Sequence, residues 1–230
     1  MNTIATPYSE HTLRNEQRDF VEWHLGRPHY ALWALMPDCA ALERRVQAAQ
    51  THLGRWLLGG YQRQPHITLS LCGFPSACAT QGDDFEAGVL RAQLLALRQL
   101  RPAPFEISIG ALESFSSAPY LTVQTPPLRA LRQCLLSNAT INMAPDDYTA
   151  HVTVGLYGGA WPLSELRQAF DRFSDTESLQ LQISSIALLS YAARDIGGPL
   201  QRLAEYDFSS GRLHWSACAN EWPASFRSIT

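Results

Sequence analysis

Lysine is missing altogether: the eighteen basic residues of this 230-residue chain are all arginine. That omission removes every reaction built on a lysine amine, including Schiff-base chemistry, lysyl-adenylate ligation and P-loop phosphate binding. Cysteine is sparse. Cys39, Cys72, Cys78, Cys134 and Cys218 are odd in number and form no C-x-x-C pair, which argues against a disulfide framework and a thiolate zinc site. They are expected as reduced, mostly buried thiols. No apolar run approaches the ~20 residues of a membrane span, and Met1 to Arg14 lacks a signal-peptide core, so the expected location is the cytoplasm. With a net charge of −3 and no basic run longer than Arg44-Arg45, the chain does not advertise a groove for a long nucleic-acid duplex. A small nucleotide or an RNA end suits this charge better.

Motifs for other chemistries are absent too. Gly59-Gly60, Gly158-Gly159 and Gly197-Gly198 match neither phosphate-binding glycine pattern and are expected as turns. His11, His24, His29 and His52 show no ligand spacing, and no G-x-S-x-G elbow occurs. No metal and no cofactor are expected.

What is present is an ordinary globular composition, 46% hydrophobic and 17% charged, in a length that fits one large domain or two small lobes. A leading helix is expected over Ser9 to Leu25, ended by Gly26. Tyr30 to Met36 predicts a buried strand, and Pro37-Asp38 a stop and N-cap for a helix to His52, terminated by Gly54. His66 to Cys72 alternates, with His66, Thr68 and Ser70 on one face and Ile67, Leu69 and Leu71 on the other. Asp83-Asp84 would cap a helix to about Leu100, and Phe105 to Ile109 predicts a strand.

The second half repeats the order. A strand at Tyr120 to Gln124 precedes a helix opening at Pro127, then an alternating strand from His151 to Tyr157. A helix from Pro162 and a strand at Leu179 to Ile183, extending toward Tyr191, complete it. Tyr30 to His66 spans 36 positions and Tyr120 to His151 spans 31, each with a helix inside. An internal duplication follows: one α+β domain with two pseudo-symmetric lobes, about 30–110 and 119–208, an N-terminal extension over 1–29 and a tail over 209–230.

The chemistry-bearing constellation is His66-Ile67-Thr68-Leu69 beside His151-Val152-Thr153-Val154. In a strand, residues i and i+2 share a face, so each motif points an imidazole and a hydroxyl to one side. Two histidines and two hydroxyls supply a base, an acid and phosphate-oxygen donors for phosphodiester cleavage without a metal. The four letters alone are weak, since composition yields such a match for roughly one histidine in twenty, and His214-Trp215-Ser216-Ala217 is a looser third. Equivalent placement within the two repeats distinguishes His66 and His151.

These motifs, about 85 positions apart, resemble the signature of the two-histidine (2H) phosphoesterase superfamily, whose members include RNA 2′,3′-cyclic phosphodiesterases and bacterial RNA 2′-5′ ligases. The resemblance runs from roughly Tyr30 to Phe208. It implies a bilobal α+β fold with two antiparallel-rich sheets and flanking helices around a central cleft. It also implies His66 and His151 as the acid/base pair, with Thr68 and Thr153 as phosphate-binding hydroxyls. One departure is that Arg63 is the only arginine close before either motif, which weighs against long RNA. Tyr30, Tyr120 and Tyr157 are candidate base-stacking residues at the cleft, although core packing accounts for aromatics more often. Asp146-Asp147, after Pro145, precede the second motif and suggest a turn. Two rivals are a nucleotide- or RNA-end-binding protein that has lost turnover, and metal-dependent hydrolysis by the same histidines.

Overall fold

The apolar run at Tyr30 to Met36 becomes β1 (His29–Leu35), an interior strand whose residues from Tyr30 onward are all buried. The computed structural model describes residues 10–126, 128–137, 139 and 148–229. Before β1 lies the short α1 (Val21–His24). After it come α2 (Ala40–Leu53), β2 (Ile67–Ser76), β3 (Asp84–Glu86), α3 (Ala87–Leu100), β4 (Phe105–Ser114) and β5 (Pro119–Gln124). Next are α4 (Arg129–Leu136), β6 (His151–Thr153), α5 (Leu163–Asp171), β7 (Leu179–Ile183), β8 (Ser185–Ala192), β9 (Gln201–Asp207) and β10 (Arg212–Trp215). A 3-10 turn at Ala217–Glu221 and α6 (Ala224–Arg227) follow.

The strands form a six-stranded sheet, β10-β9-β8-β1-β2-β3, and a four-stranded sheet, β6-β5-β4-β7. All neighbours pair antiparallel except β2 with β3. The sheets exchange strands between the halves of the chain: β4 joins β5–β7, while β8–β10 return to β1–β3. The expected lobe limits near residues 110 and 119 therefore fall inside or beside one hairpin, β4–β5, rather than between sheets. The strand expected to extend from Leu179 toward Tyr191 is two strands for the same reason, broken at Ser184, with β7 in one sheet and β8 in the other.

Period-two alternation puts Ala31, Trp33 and Leu35 into the main core with α2, α3, α4 and α5. Leu32 and Ala34 face the other way, into a second cluster with Ala187, Leu189 and Leu200. Burying a large apolar side chain fully is worth about 1.5–3 kcal/mol, so both faces of β1 reward the unbroken apolar run. At the centre, the Trp33 indole donates to Gln93 Oε1 at 3.0 Å, and Gln93 Nε2 donates to the Leu135 carbonyl at 3.1 Å. Arg45, also buried, reaches the Ile109 carbonyl and Asp175.

Several local expectations are corrected. Residues 10–20 are not helical. Their backbone runs along the second half, with Thr12 N bonded to Trp161 O, Leu13 N to Ser116 O and Asn15 N to Tyr157 O; Leu13, Val21 and Leu25 are exposed, so the segment buries too little apolar surface to hold a helix. Asp38 caps nothing; its carboxylate pairs with Arg202 at 3.0 Å. Gly54 closes α2 with right-handed dihedrals, not as a left-handed terminator. Asp84 lies in β3, three residues ahead of α3, and its carboxylate takes Thr80 N, Gln81 N and Arg27. The segment 209–229 supplies β10, paired with β9, and then packs Trp222 and Phe226 against Phe85 of β3. Pro127 as a helix start, and the Pro145-Asp146-Asp147 turn, lie outside the described residues.

Candidate active site

The two H-x-T segments lie in different sheets, His66 directly before β2 and His151 opening β6. Thr68 pairs across the strand with Ala34, which places Thr68 and His66 on the face of the second apolar cluster. The expected alternation stops there. A register shift between Trp33 and Ala34 sets Ser70 opposite Trp33, so Ser70 is fully buried and Leu71 joins the cleft-side cluster instead. In the other sheet, Thr122 opposes His151 and Tyr120 opposes Thr153, so these four share one face.

Both histidines are held in the same local way. His66 Nδ1 donates to the Gln64 carbonyl at 2.8 Å, and His151 Nδ1 donates to the Thr149 carbonyl at 2.7 Å. In each case the acceptor is two residues back. A carbonyl can only accept, so each ring carries its proton on Nδ1 and presents Nε2 as a free lone pair when neutral. Both rings are held below the ordinary imidazole range. Burial, chiefly, with the charges of Arg63 and His151, pushes His66 down to about 4, while burial lowers His151 against its bond to Thr149.

A tyrosine ties the motifs together. The Tyr148 hydroxyl donates to the Thr68 carbonyl at 3.0 Å, so a residue preceding the second motif grips the first. Burial pushes the phenol of Tyr61, which precedes the first motif, up to about 12. Arg132 from α4 adds a bond from Nε to the Leu69 carbonyl at 3.1 Å, its guanidinium 3.7 Å above the Tyr148 ring. Side chains from the second half thus cover carbonyls of β2 that a missing neighbour strand would leave open. An open groove lined by Thr122, Gln124, Arg129, Arg132, Tyr148 and Thr149 borders the second motif.

The candidate tyrosines fall into three situations. Tyr120 lies beside the site, its ring edge-on to His151 at 5.5 Å and stacked on Phe115 at 4.2 Å. It is nearly buried, so it supports the imidazole rather than offering an open face. Tyr30 sits one layer behind, packed against Trp23, Phe74 and Tyr191. Tyr157 does not border the cleft: β6 ends at Thr153, and Tyr157 is fully buried with its hydroxyl 2.6 Å from Ser114 Oγ. The register that placed it beside His151 required a strand four residues longer than the one that forms.

Tyr61, Tyr148, Phe115 and Tyr191 were not foreseen. A usable signal existed for one of them, since Tyr148 and Arg63 each stand three positions before a motif histidine. Among the described residues, no three His, Cys, Asp or Glu side chains gather as a metal-ligand group.

The model of the 2′-5′ RNA ligase superfamily matches residues 37–195, a span that contains both motifs. This chain belongs to the 2′-5′ RNA ligase superfamily. The architecture agrees: E. coli LigT, solved in complex with 3′-AMP, is similar with a TM-score of 0.51 at 14% identity, covering 78% of this chain and 98% of that one. A Thermus thermophilus protein, TT0787, is similar at 14% identity and a TM-score of 0.48, covering 73% of this chain and 99% of that one. No curated protein matches in sequence. At this identity the structural likeness establishes the superfamily's fold, two curled sheets with flanking helices, and no more. Among the described residues, no helix is long and apolar enough to cross a membrane.

Proposed function

We propose that this member of the superfamily is a metal-independent phosphodiesterase, cleaving a 2′,3′-cyclic phosphate or a 2′-5′ linkage of a small nucleotide or RNA end. The observation that carries the reading is the matched pair of Nδ1-to-carbonyl bonds, which leaves two Nε2 atoms with proton-transfer capacity on motifs that Tyr148 ties together. One ring, neutral, takes a proton from water as its oxygen attacks phosphorus. The other, protonated, gives its proton to the ribose oxygen as the phosphorus–oxygen bond breaks, leaving a phosphomonoester. His66, whose protonation is opposed by burial and by Arg63, fits the resting base. Thr68 and Thr153 donate to the non-bridging oxygens.

The test is turnover of a panel: nucleoside 2′,3′-cyclic phosphates, cyclic-phosphate-ended RNA, 2′-5′ oligoadenylate and ADP-ribose cyclic phosphate. Activity should survive a chelator and show a bell-shaped pH profile. His66→Ala and His151→Ala should each lower turnover by about 10²–10⁴-fold. Losses under tenfold would overturn the mechanism. Tight product binding with no cleavage of any substrate would favour the binding-protein alternative, and loss of activity in EDTA the metal-dependent one.

A further inference from the structure

The segment between α2 and β2 carries Tyr61 to Pro65 in no regular element, yet it is pinned on both sides of Arg63. Gln62 N donates to the Gly197 carbonyl at 2.7 Å. Gln64 makes a two-way bond with Leu200, its Oε1 accepting from Leu200 N at 2.8 Å and its Nε2 donating to Leu200 O at 3.2 Å. Because the Gln64 carbonyl also receives His66 Nδ1, one clamp orients both the arginine and the histidine.

Between those pins the Arg63 guanidinium lies 4.0 Å above the Tyr191 ring. Tyr191 is backed in turn by Tyr30, at 5.6 Å between centroids. Among the described residues, no carboxylate pairs with Arg63, and its Nε is buried with no hydrogen-bond partner. Leaving a buried donor unsatisfied costs about 1–3 kcal/mol, more for a charged group. A half-buried cation without a counter-charge, beside an imidazole whose protonation it disfavours, is stable in the free protein only at a cost. An anion arriving at the guanidinium would offset the charge.

We propose that Arg63 is the charged ligand for a non-bridging oxygen of the substrate's phosphate, through its guanidinium group, with Gln64 as the residue that positions it. This rests on the phosphodiesterase reading for the identity of the substrate, and it adds a role that neither H-x-T motif contains. Thr68 and Thr153 are neutral donors, so Arg63 supplies the charge. The non-bridging oxygens carry more negative charge as water attacks, so the arginine's effect should fall more on kcat than on KM.

The full-length chain is titrated with inorganic phosphate by calorimetry at neutral pH, and turnover is followed with a nucleoside 2′,3′-cyclic phosphate. Arg63→Gln should weaken phosphate binding by roughly 10–100-fold and reduce the salt dependence of binding. Arg63→Lys keeps the charge and most of the stem but not the guanidinium group, and should recover part of that loss. Should the glutamine variant fail to fold, the lysine variant is read alone, with a phosphate affinity at least roughly threefold below wild type as the expectation. Gln64→Ala should lower kcat while leaving unfolding cooperative. Phosphate affinity within about twofold of wild type in the variants, or no phosphate binding by the wild-type chain, overturns the proposal. A chain that binds phosphate through Arg63 but cleaves nothing leaves this inference standing and removes the proposed function; cleavage undiminished in Arg63→Gln does the reverse.

Discussion

Lowering the pH should destabilise this protein through His66, by an amount the structure allows to be worked out. The ring is 7% exposed and titrates at about 4, against 6.5 for a free imidazole. Between those values the unfolded chain binds a proton that the folded chain refuses, so stability declines as pH falls through the window and does not respond above it. The full penalty, reached below pH 4, is about 3 kcal/mol, and near pH 5 it is about 2 kcal/mol. His66→Asn removes the titration but keeps a donor in reach of the Gln64 carbonyl. Urea unfolding of both chains at about pH 7.5 and about pH 5 isolates the term, because every other titrating group is common to the two. The wild type should lose about 2 kcal/mol more than the variant over that interval. A difference between the two chains that stays constant within about 0.5 kcal/mol across the interval would refute both the burial and the charge coupling assigned to this ring.

Two further perturbations probe the supports of the site and of the core. Tyr148→Phe deletes the bond to the Thr68 carbonyl; it should cost about 1 kcal/mol in urea unfolding and lower kcat/KM about tenfold, and unchanged kinetics would show that this link does not align the motifs. Gln93→Leu leaves the Trp33 indole and the Leu135 carbonyl without partners in the core and should lower stability by about 3 kcal/mol, read as a shifted urea midpoint with an unchanged slope.

The H-x-T strands were legible because their information is local. A two-residue period, an apolar anchor on the opposite side and a histidine at the strand entrance can all be seen without knowing what lies nearby. The same logic failed at Ser70 and Tyr157. At Ser70 the pairing with β1 slips by one residue, and at Tyr157 the strand had already ended, both decided by the partner strand. The leading helix failed for another reason: local propensity was outweighed by backbone bonds to the loops at 116 and 157–161. Tyr61 and Tyr191 were illegible because each acquires its position from a chain segment far away in sequence.

By itself, the amino-acid sequence determined which chemistry is possible. It rules out a lysine amine, supplies two imidazoles each followed by a hydroxyl, and places both on strands with apolar anchors. Even the Nδ1 bond is of this kind, since the accepting carbonyl is two residues away in each motif. Tertiary structure decided how the strands were dealt between the two sheets, which aromatics back each imidazole, and how far His66 is held from protonation. Those outcomes depend on burial, and on charges that meet only after the chain has closed on itself: an arginine's effect on a histidine is set by distance and dielectric, and neither is written in local sequence.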